Sequence, residues 1–212
     1  MKRYKLYLFD LDGTLLDSDK MIIETFRELY KIYRPDFHPD DSHILQFSGP
    51  QIRESLAKEF PNEDLEKMLN EYKNRSKKFY IQYVKLFPGA RELIETLNSK
   101  GIKYGIITNK HRYATVYTYE LLDLKKFNIY SVCADDVENL KPNPEGIYRA
   151  MKDFDVSDKK DVIYIGDGLF DYLTAKNASV DFGFVSWSPR YNKEMKIDAK
   201  IDDFREIAEE IK

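Results

Sequence analysis

The chain has 212 residues, of which 42% are hydrophobic and 33% are charged, and its formal net charge is −3. This composition supports a packed core under a polar surface, and the length fits one domain with an insertion. The small negative charge excludes an overall basic field that would favour nucleic acid, and the single cysteine, Cys133, excludes an internal disulfide framework.

The N-terminal apolar run stops at Asp10, which is too early for the core of a secretory signal. No segment approaches the roughly 20 apolar residues that a membrane-spanning helix needs. A chain with one thiol is also not expected in an oxidising compartment. We therefore predict a cytoplasmic protein with no membrane and no nucleic-acid partner.

Five short, continuous apolar runs predict parallel strands that are covered on both faces. In chain order they are KLYLF before Asp10, KYGIIT ending at Thr108, IYSVCA ending at Ala134, DVIYIGD ending at Asp167 and DFGFVSW ending at Trp187. Helical patterns such as ARELIETLNSKG and NPEGIYRAMKDF lie between them. This alternation predicts an α/β fold with an open parallel sheet and right-handed crossovers.

Residues 18–86 interrupt the alternation. This stretch reads as helices only, and turn signals at Pro35, Pro39, Gly49-Pro50 and Pro61 separate them. We predict an all-helical insertion at 18–86 and a core made of residues 1–17 and 87–212.

Chemically reactive side chains stand where the predicted strands end. Ligands of an open parallel sheet bind beyond the carboxyl ends of its strands, so these side chains should meet there. Asp10 and Asp167 would form an oxygen-rich site that suits Mg²⁺. Thr108 and Lys141 would serve as partners of an anion, and together the groups describe a phosphoryl site.

The first strand also predicts a covalent mechanism. The carboxylate of Asp10 can attack phosphorus and form an aspartyl phosphate, which splits hydrolysis into two easier steps. Asp12, two residues later, can protonate the leaving oxygen and then deprotonate the attacking water. Gly13 permits a tight turn that brings backbone N–H groups to the phosphoryl oxygens.

Four segments in this order resemble the motifs of the haloacid dehalogenase superfamily, and within it the phosphoglycolate phosphatase and pyrophosphatase branch. They are DLDGTLLDS, IITN, LKPNPE and GDGLFD, which together span Asp10 to Asp171. The resemblance implies a Rossmann-like core with a helical cap. It implies Asp10 as nucleophile and Asp12 as acid/base, with phosphoryl ligands and Mg²⁺ ligands drawn from the four motifs. The implied phosphoryl ligands are Thr108 and Lys141, the implied Mg²⁺ ligands are the Asp10 carboxylate, the Asp12 carbonyl and Asp167, and Asp171 is a supporting acid. We also predict that Asn109 and Gly13 take part in phosphoryl binding.

One residue departs from the family pattern. Gly168 stands where this branch usually has Ser, Thr or Asn directly after the metal-binding aspartate. This departure is expected to alter the affinity for the metal ion and to leave the reaction chemistry unchanged.

Three alternatives to a phosphatase remain open at the level of sequence. A sugar-phosphate mutase keeps the chemistry but needs cap residues that seat a second phosphate, for which Arg53 is a candidate. A non-enzymatic phospho-receiver also uses an acidic cluster with Thr and Lys, but its phospho-Asp lies on a middle strand. A dehalogenase attacks carbon and needs neither Mg²⁺ nor an acid at position 12.

The cap is expected to close over the site and to select a small phosphorylated metabolite. Candidate contacts are Ser48, Gly49, Gln51 and Arg53. Phosphoglycolate, pyrophosphate, a nucleotide or a sugar phosphate all fit the motifs. A monomer or a weak homodimer is expected.

Overall fold

The computed structural model describes residues 2–211. Its strands, in chain order, are β1 (Leu6–Phe9), β2 (Leu16–Asp17), β3 (Lys85–Leu86), β4 (Lys103–Ile107), β5 (Tyr130–Val132), β6 (Val162–Gly166), β7 (Asp181–Val185) and β8 (Ala199–Ile201).

The α-helices occupy the segments between the strands. They are α1 (Asp19–Tyr33), α2 (Asp41–Leu45), α3 (Ile52–Glu59), α4 (Leu65–Tyr83), α5 (Ala90–Ser99), α6 (Arg112–Leu121), α7 (Glu145–Asp153), α8 (Leu169–Ala178) and α9 (Phe204–Ile211). Short 3₁₀ turns lie at Lys125–Phe127, Ala134–Asp136 and Lys159–Asp161.

The core sheet has six parallel strands in the order β5-β4-β1-β6-β7-β8. The first strand therefore lies in the middle of the sheet, between β4 and β6. At its carboxyl end, Phe9 pairs with Ile106 of β4 and with Ile165 of β6. This register brings the ends of three strands to the same edge, and the predicted α/β parallel-sheet fold is confirmed.

Continuous apolar sequence explains why these strands are central. Leu6 and Leu8 are fully buried and belong to the same core cluster as Val162 and Tyr164 of β6. Because successive side chains of a strand point to opposite faces, a strand that is apolar at every position must be covered on both.

The chain divides into two compact units. The sheet unit comprises the chain up to Leu15 and from Leu86 onward, and the helical unit is Leu16–Lys85. Within the helical unit, α1 packs against α4 and α2, and α3 packs against α4. Its core side chains are fully buried, namely Phe26, Leu29, Ile44, Leu56 and Met68.

Two details differ from the sequence-based expectation. The sheet has a sixth strand, β8, whose three residues are too few for a periodic pattern to show. The segment 18–86 is not helical throughout, because Lys85–Leu86 pairs with Leu16–Asp17 in a two-stranded ladder. Among residues 2–211, no helix is both long enough and apolar enough to cross a membrane.

Candidate active site

The predicted site residues lie at the carboxyl edge of the central strands. Asp10 follows β1, Thr108 follows β4 and Asp167 follows β6, and Lys141 lies in the loop between β5 and α7. Between 5% and 7% of each residue is exposed to solvent. Because β1 lies between β4 and β6, Asp10 and Asp167 come close in space although they are more than 150 positions apart in the chain.

Lys141 is the centre of the site. Its Nζ donates to Oδ1 of Asp10 at 2.6 Å, to Oδ1 of Asp171 at 2.8 Å and to the hydroxyl of Tyr164 at 3.0 Å. A buried ammonium group is stable only when it is paired and hydrogen-bonded, and three oxygen partners meet that requirement.

Asp171, the third residue of α8, anchors Lys141 and also caps the N-terminus of that helix. Its Oδ2 accepts the backbone N–H groups of Asp167 at 3.1 Å and Gly168 at 3.3 Å, which would otherwise have no helical partner. Its Oδ1 accepts Lys141 and the Tyr164 hydroxyl, the latter at 3.1 Å. Both oxygens of Asp171 thus accept hydrogen bonds from other groups of the protein, and its supporting role in the reaction stays a prediction.

Three buried carboxylates could hold a metal ion. Asp10, Asp167 and Asp171 each offer one oxygen, and these oxygens lie within 4.8 Å of one another. Hard oxygen donors at such spacing suit Mg²⁺. Both oxygens of Asp171 accept hydrogen bonds, whereas Lys141 contacts one oxygen of Asp10 and Arg190 contacts one oxygen of Asp167. The donor set fits a hard divalent cation, and that Asp10 and Asp167 are the metal ligands stays a prediction.

Asp167 is held by the loop that follows β7. The hydroxyl of Ser188 donates to the Asp167 carbonyl at 2.6 Å, and Nη1 of Arg190 donates to Asp167 Oδ2 at 2.7 Å. Sequence reasoning missed both residues. Their position just beyond the end of an apolar strand could have suggested a functional loop. The segment SWSPR, however, matches no known motif.

Gly168 lies beside Arg190, but a β-carbon at position 168 would fit without displacing the arginine. A Cβ at this position would lie in ordinary contact with Cδ of Arg190 at 3.7 Å and with its Cβ at 3.8 Å. Position 168 itself carries no side chain, and Arg190 from another loop contacts Asp167, one of the predicted metal ligands. Partners of this kind orient metal-binding carboxylates.

Asp12 forms an ion pair with Lys110. Nζ of Lys110 donates to Oδ1 of Asp12 at 3.0 Å and to Oδ2 at 2.9 Å. Sequence reasoning also missed Lys110, although it directly follows the two residues that were singled out at the end of β4.

Burial and charge shift the protonation equilibria of the site. Burial raises the pKa of Asp10 to about 7, with Asp171 adding to this effect and Lys141 opposing it. Burial lowers the pKa of Lys141, but the charges of Asp10 and Asp171 outweigh it and raise the pKa above its ordinary value. Burial, followed by the charge of Asp171, raises the pKa of Tyr164 well above its usual range.

Asn109 has a structural use. Its Nδ2 donates to the Lys141 carbonyl at 3.2 Å, and its Oδ1 accepts the Lys141 backbone N–H at 3.0 Å. The amide therefore fixes the backbone that carries the central lysine. That Asn109 also binds the phosphoryl group stays a prediction.

The predicted cap contacts lie in the helical unit. Gln51 precedes α3, and Arg53 within that helix forms an ion pair with Glu66. Both partners of this pair are largely exposed. Contact of Gln51 or Arg53 with a substrate stays a prediction.

Known proteins resemble this chain over most of its length. The family model of haloacid dehalogenase-like hydrolases matches residues 7–185. The pyrophosphatase PpaX of Halalkalibacterium halodurans is 33% identical over 183 residues, which cover 86% of this chain and 84% of that protein.

Solved structures show the same fold. A protein from Bacteroides fragilis, described as a haloacid dehalogenase-like hydrolase, has a TM-score of 0.81 at 27% identity and covers 97% of this chain and 100% of its own. A protein from Thermotoga maritima, described as a β-phosphoglucomutase, has a TM-score of 0.77 at 25% identity and covers 97% of both chains.

These matches confirm the predicted family, the α/β fold class and an enzyme of the phosphatase type. The family match spans the segment that carries all four motifs, and the geometry brings those motifs to one edge of the sheet. The chain belongs to the haloacid dehalogenase-like hydrolase family.

Proposed function

We propose that this protein is a Mg²⁺-dependent phosphatase that hydrolyses a small phosphate ester or anhydride through an aspartyl phosphate on Asp10. The observation that carries the proposal is the contact of Lys141 with Asp10 and Asp171, beside Asp167, at one edge of the sheet. The relatives named pyrophosphatase PpaX favour pyrophosphate among the open substrates.

Charge balance supports a phosphoryl substrate. With Asp10 ionised, as a nucleophile must be, the three buried carboxylates of Asp10, Asp167 and Asp171 face two cations, Lys141 and Arg190, which leaves one net negative charge. A divalent cation held by Asp10 and Asp167 would supply a positive centre that neutralises charge on the phosphoryl oxygens. With such a cation bound, the local charge becomes positive and favours an anionic substrate.

The residues can then perform two displacements. In the first, an oxygen of Asp10 bonds to phosphorus, the bond from phosphorus to the leaving oxygen breaks, and Asp12 gives that oxygen its proton. In the second, water bonds to phosphorus, Asp12 takes a proton from the water, and the bond to Asp10 breaks. Lys141 and the hydroxyl of Thr108 hold the phosphoryl oxygens during both steps.

The test is phosphate release from pyrophosphate, phosphoglycolate and phenyl phosphate, measured with Mg²⁺ and with EDTA. Asp10→Asn should abolish turnover, and Asp12→Asn should lower it by about 10²- to 10⁴-fold. Labelled phosphate should appear on the wild-type protein after rapid acid quenching. The exposed Asp36→Asn variant is the control and should keep full activity. Near-normal turnover by Asp10→Asn would refute the nucleophile.

A mutase is the second candidate, since the structure from Thermotoga maritima is described as a β-phosphoglucomutase. In that case the phosphoryl group returns to a sugar instead of water. Exchange between sugar-phosphate isomers that is faster than phosphate release would favour it. The proposal also includes a cytoplasmic location, a small metabolite as substrate and a monomer or weak homodimer.

A further inference from the structure

Lys110 is a nearly buried cation that the mechanism above does not use. Only 9% of its side chain is exposed, compared with 21% for its partner Asp12. Its Nζ lies at hydrogen-bond distance from both oxygens of that carboxylate. Burying an ammonium group costs desolvation free energy, which its ion pair with Asp12 has to offset.

Backbone hydrogen bonds fix the position of Lys110 relative to Thr108, a proposed phosphoryl ligand. Its N–H donates to Oγ1 of Thr108 at 3.2 Å, and its carbonyl accepts the N–H of Ala134 at 3.1 Å. The residue is thus tied on one side to a proposed phosphoryl ligand and on the other to the segment after β5. The place of its ammonium group is therefore set by the same strand end as Thr108.

The two lysines of the site form ion pairs with different aspartates. Lys141 contacts Asp10 and Asp171, whereas Lys110 contacts Asp12. Asp12 is the group that must reach the leaving oxygen, so a cation at 2.9–3.0 Å from it lies on the leaving-group side. Lys141, by contrast, lies beside the nucleophile.

We propose that Lys110 binds a second anionic group of the substrate, attached just beyond the leaving oxygen, and so selects substrates with a charged leaving group. The inference rests on the proposed function, because it takes its direction from the role of Asp12. The ligand chemistry is a phosphoryl or carboxylate group one to three bonds from the leaving oxygen. Pyrophosphate and phosphoglycolate carry such a group, and ethyl phosphate does not.

A purely structural ion pair predicts a different pattern. If Lys110 only oriented Asp12, its loss would act through proton transfer to the leaving oxygen. Phosphoglycolate and ethyl phosphate both release an alkoxide and need this transfer to a similar degree, whereas pyrophosphate releases the less basic phosphate and needs it less. If Lys110 binds a second anion, its loss should act mainly on charged leaving groups. The contrast between substrates, rather than the size of any one effect, therefore decides between the two.

The kinetic test compares kcat/KM of Lys110→Met and Lys110→Arg on pyrophosphate, phosphoglycolate and ethyl phosphate. Loss of one charged hydrogen bond predicts that Lys110→Met loses about 10- to 100-fold more on pyrophosphate or phosphoglycolate than on ethyl phosphate. The conservative Lys110→Arg should retain most of the preference. Whether the excess loss falls on pyrophosphate, phosphoglycolate or both identifies the anion. Lys125→Met removes an exposed lysine and serves as the control.

A binding test separates this inference from the proposed function. Calorimetry with Mg²⁺ compares methylenediphosphonate, which carries a second anionic group, with methylphosphonate, which does not. The wild type should prefer the former, and Lys110→Met should lose that preference even if no substrate is turned over. Equal losses on all three substrates, or an unchanged preference in both assays, would overturn the inference. Absence of turnover by the wild type would instead count against the proposed function alone.

Discussion

Gly13 has a backbone conformation and surroundings that few residues tolerate. Its φ is +84°, in the left-handed region, and a Cβ there would lie 2.2 Å from Oδ2 of Asp167. The glycine thus allows the loop after β1 to approach the proposed metal ligand closely. A β-carbon would meet both backbone strain and a direct clash.

Gly13→Ala should therefore destabilise the protein and weaken Mg²⁺ binding, because Asp167 has to move. Gly101→Ala is a matched control, since Gly101 also has a positive φ of +63° but nothing within 4 Å of its Cβ position. The control should lose about 1–2 kcal/mol from backbone strain alone, and Gly13→Ala should lose more. Urea unfolding and calorimetric titration with Mg²⁺ measure the two effects. Equal losses in both variants would contradict the clash.

The raised pKa of Asp10 predicts how the free energy of unfolding depends on pH when Mg²⁺ is chelated. Because burial raises its pKa to about 7 in the folded protein, the folded state holds this proton more tightly than the unfolded chain does. The stability contributed by protonated Asp10 is complete below its ordinary pKa of about 3.9 and is lost as the pH rises through about 7.

The expected result in EDTA is a urea midpoint that falls between pH 5 and pH 8 for the wild type. Asp10→Asn, which has no proton to lose, should show a flatter profile over the same range. Saturating Mg²⁺ should reduce the fall in the wild type, since a bound cation compensates the ionised carboxylate. Parallel profiles for the two proteins would refute the assignment to Asp10.

At the scale of an element, the loop after β7 connects several parts of the site. Trp187 donates from Nε1 to the Gly13 carbonyl at 3.2 Å, while Ser188 and Arg190 hold Asp167. The Trp187 ring packs against Phe204 of α9, with ring centroids 4.9 Å apart. The loop is thereby supported by a helix that carries none of the proposed chemistry.

Ser188→Ala should lower Mg²⁺ affinity by about tenfold, because the backbone of a metal ligand loses its hydrogen-bond donor. The change is uncharged, so it alters position without altering the electrostatics of the site. Trp187 is the only tryptophan of the chain, and its fluorescence can follow the titration. The control is Ser99→Ala, whose hydroxyl donates to the Thr96 carbonyl on an exposed helix end. Unchanged affinity in Ser188→Ala would refute the positioning role.

At the scale of the whole molecule, the chain forms two units that each have a core. In the helical unit, the Phe26 ring lies 4.7 Å from that of Phe47, and the unit also contains a buried carboxylate, Glu59. Glu59 Oε2 accepts the Tyr30 hydroxyl at 2.8 Å and Nη1 of Arg34 at 3.1 Å. These contacts stabilise the unit from within.

Phe26→Ala should therefore open the helical unit selectively. Loss of a fully buried phenylalanine costs about 3–5 kcal/mol. The ring contacts of Phe26 with Tyr30, Phe47 and Tyr72 lie within Leu16–Lys85. Hydrogen exchange should become faster in α1 and α4, while β1, β4 and β6 keep their protection. Ile81→Ala, at a position that is 68% exposed, should change neither. Equal loss of protection in both units would show that they unfold together.

Much of the fold followed from patterns that a sequence expresses locally. Five of the six core strands are continuous apolar runs, and the end of α5 is marked by Gly101, which has the expected positive φ. Asp10, Asp12, Thr108 and Asp167 stood just after predicted strands and Lys141 stood in the loop after another, and parallel strands share a carboxyl edge. The strand β8 was missed because three residues carry no measurable period.

The sequence by itself determined which residue types stand at the strand ends, because hydrophobic periodicity and motif spacing are properties of neighbouring positions. Only the tertiary structure decided the pairing of those residues, such as Lys110 with Asp12 and Arg190 with Asp167. These partners are 98 and 23 positions apart, and no local pattern encodes which side chains meet. The physical reason is that a buried charge takes the nearest opposite charge in space, and that neighbour is known only once strand order and loop paths are set.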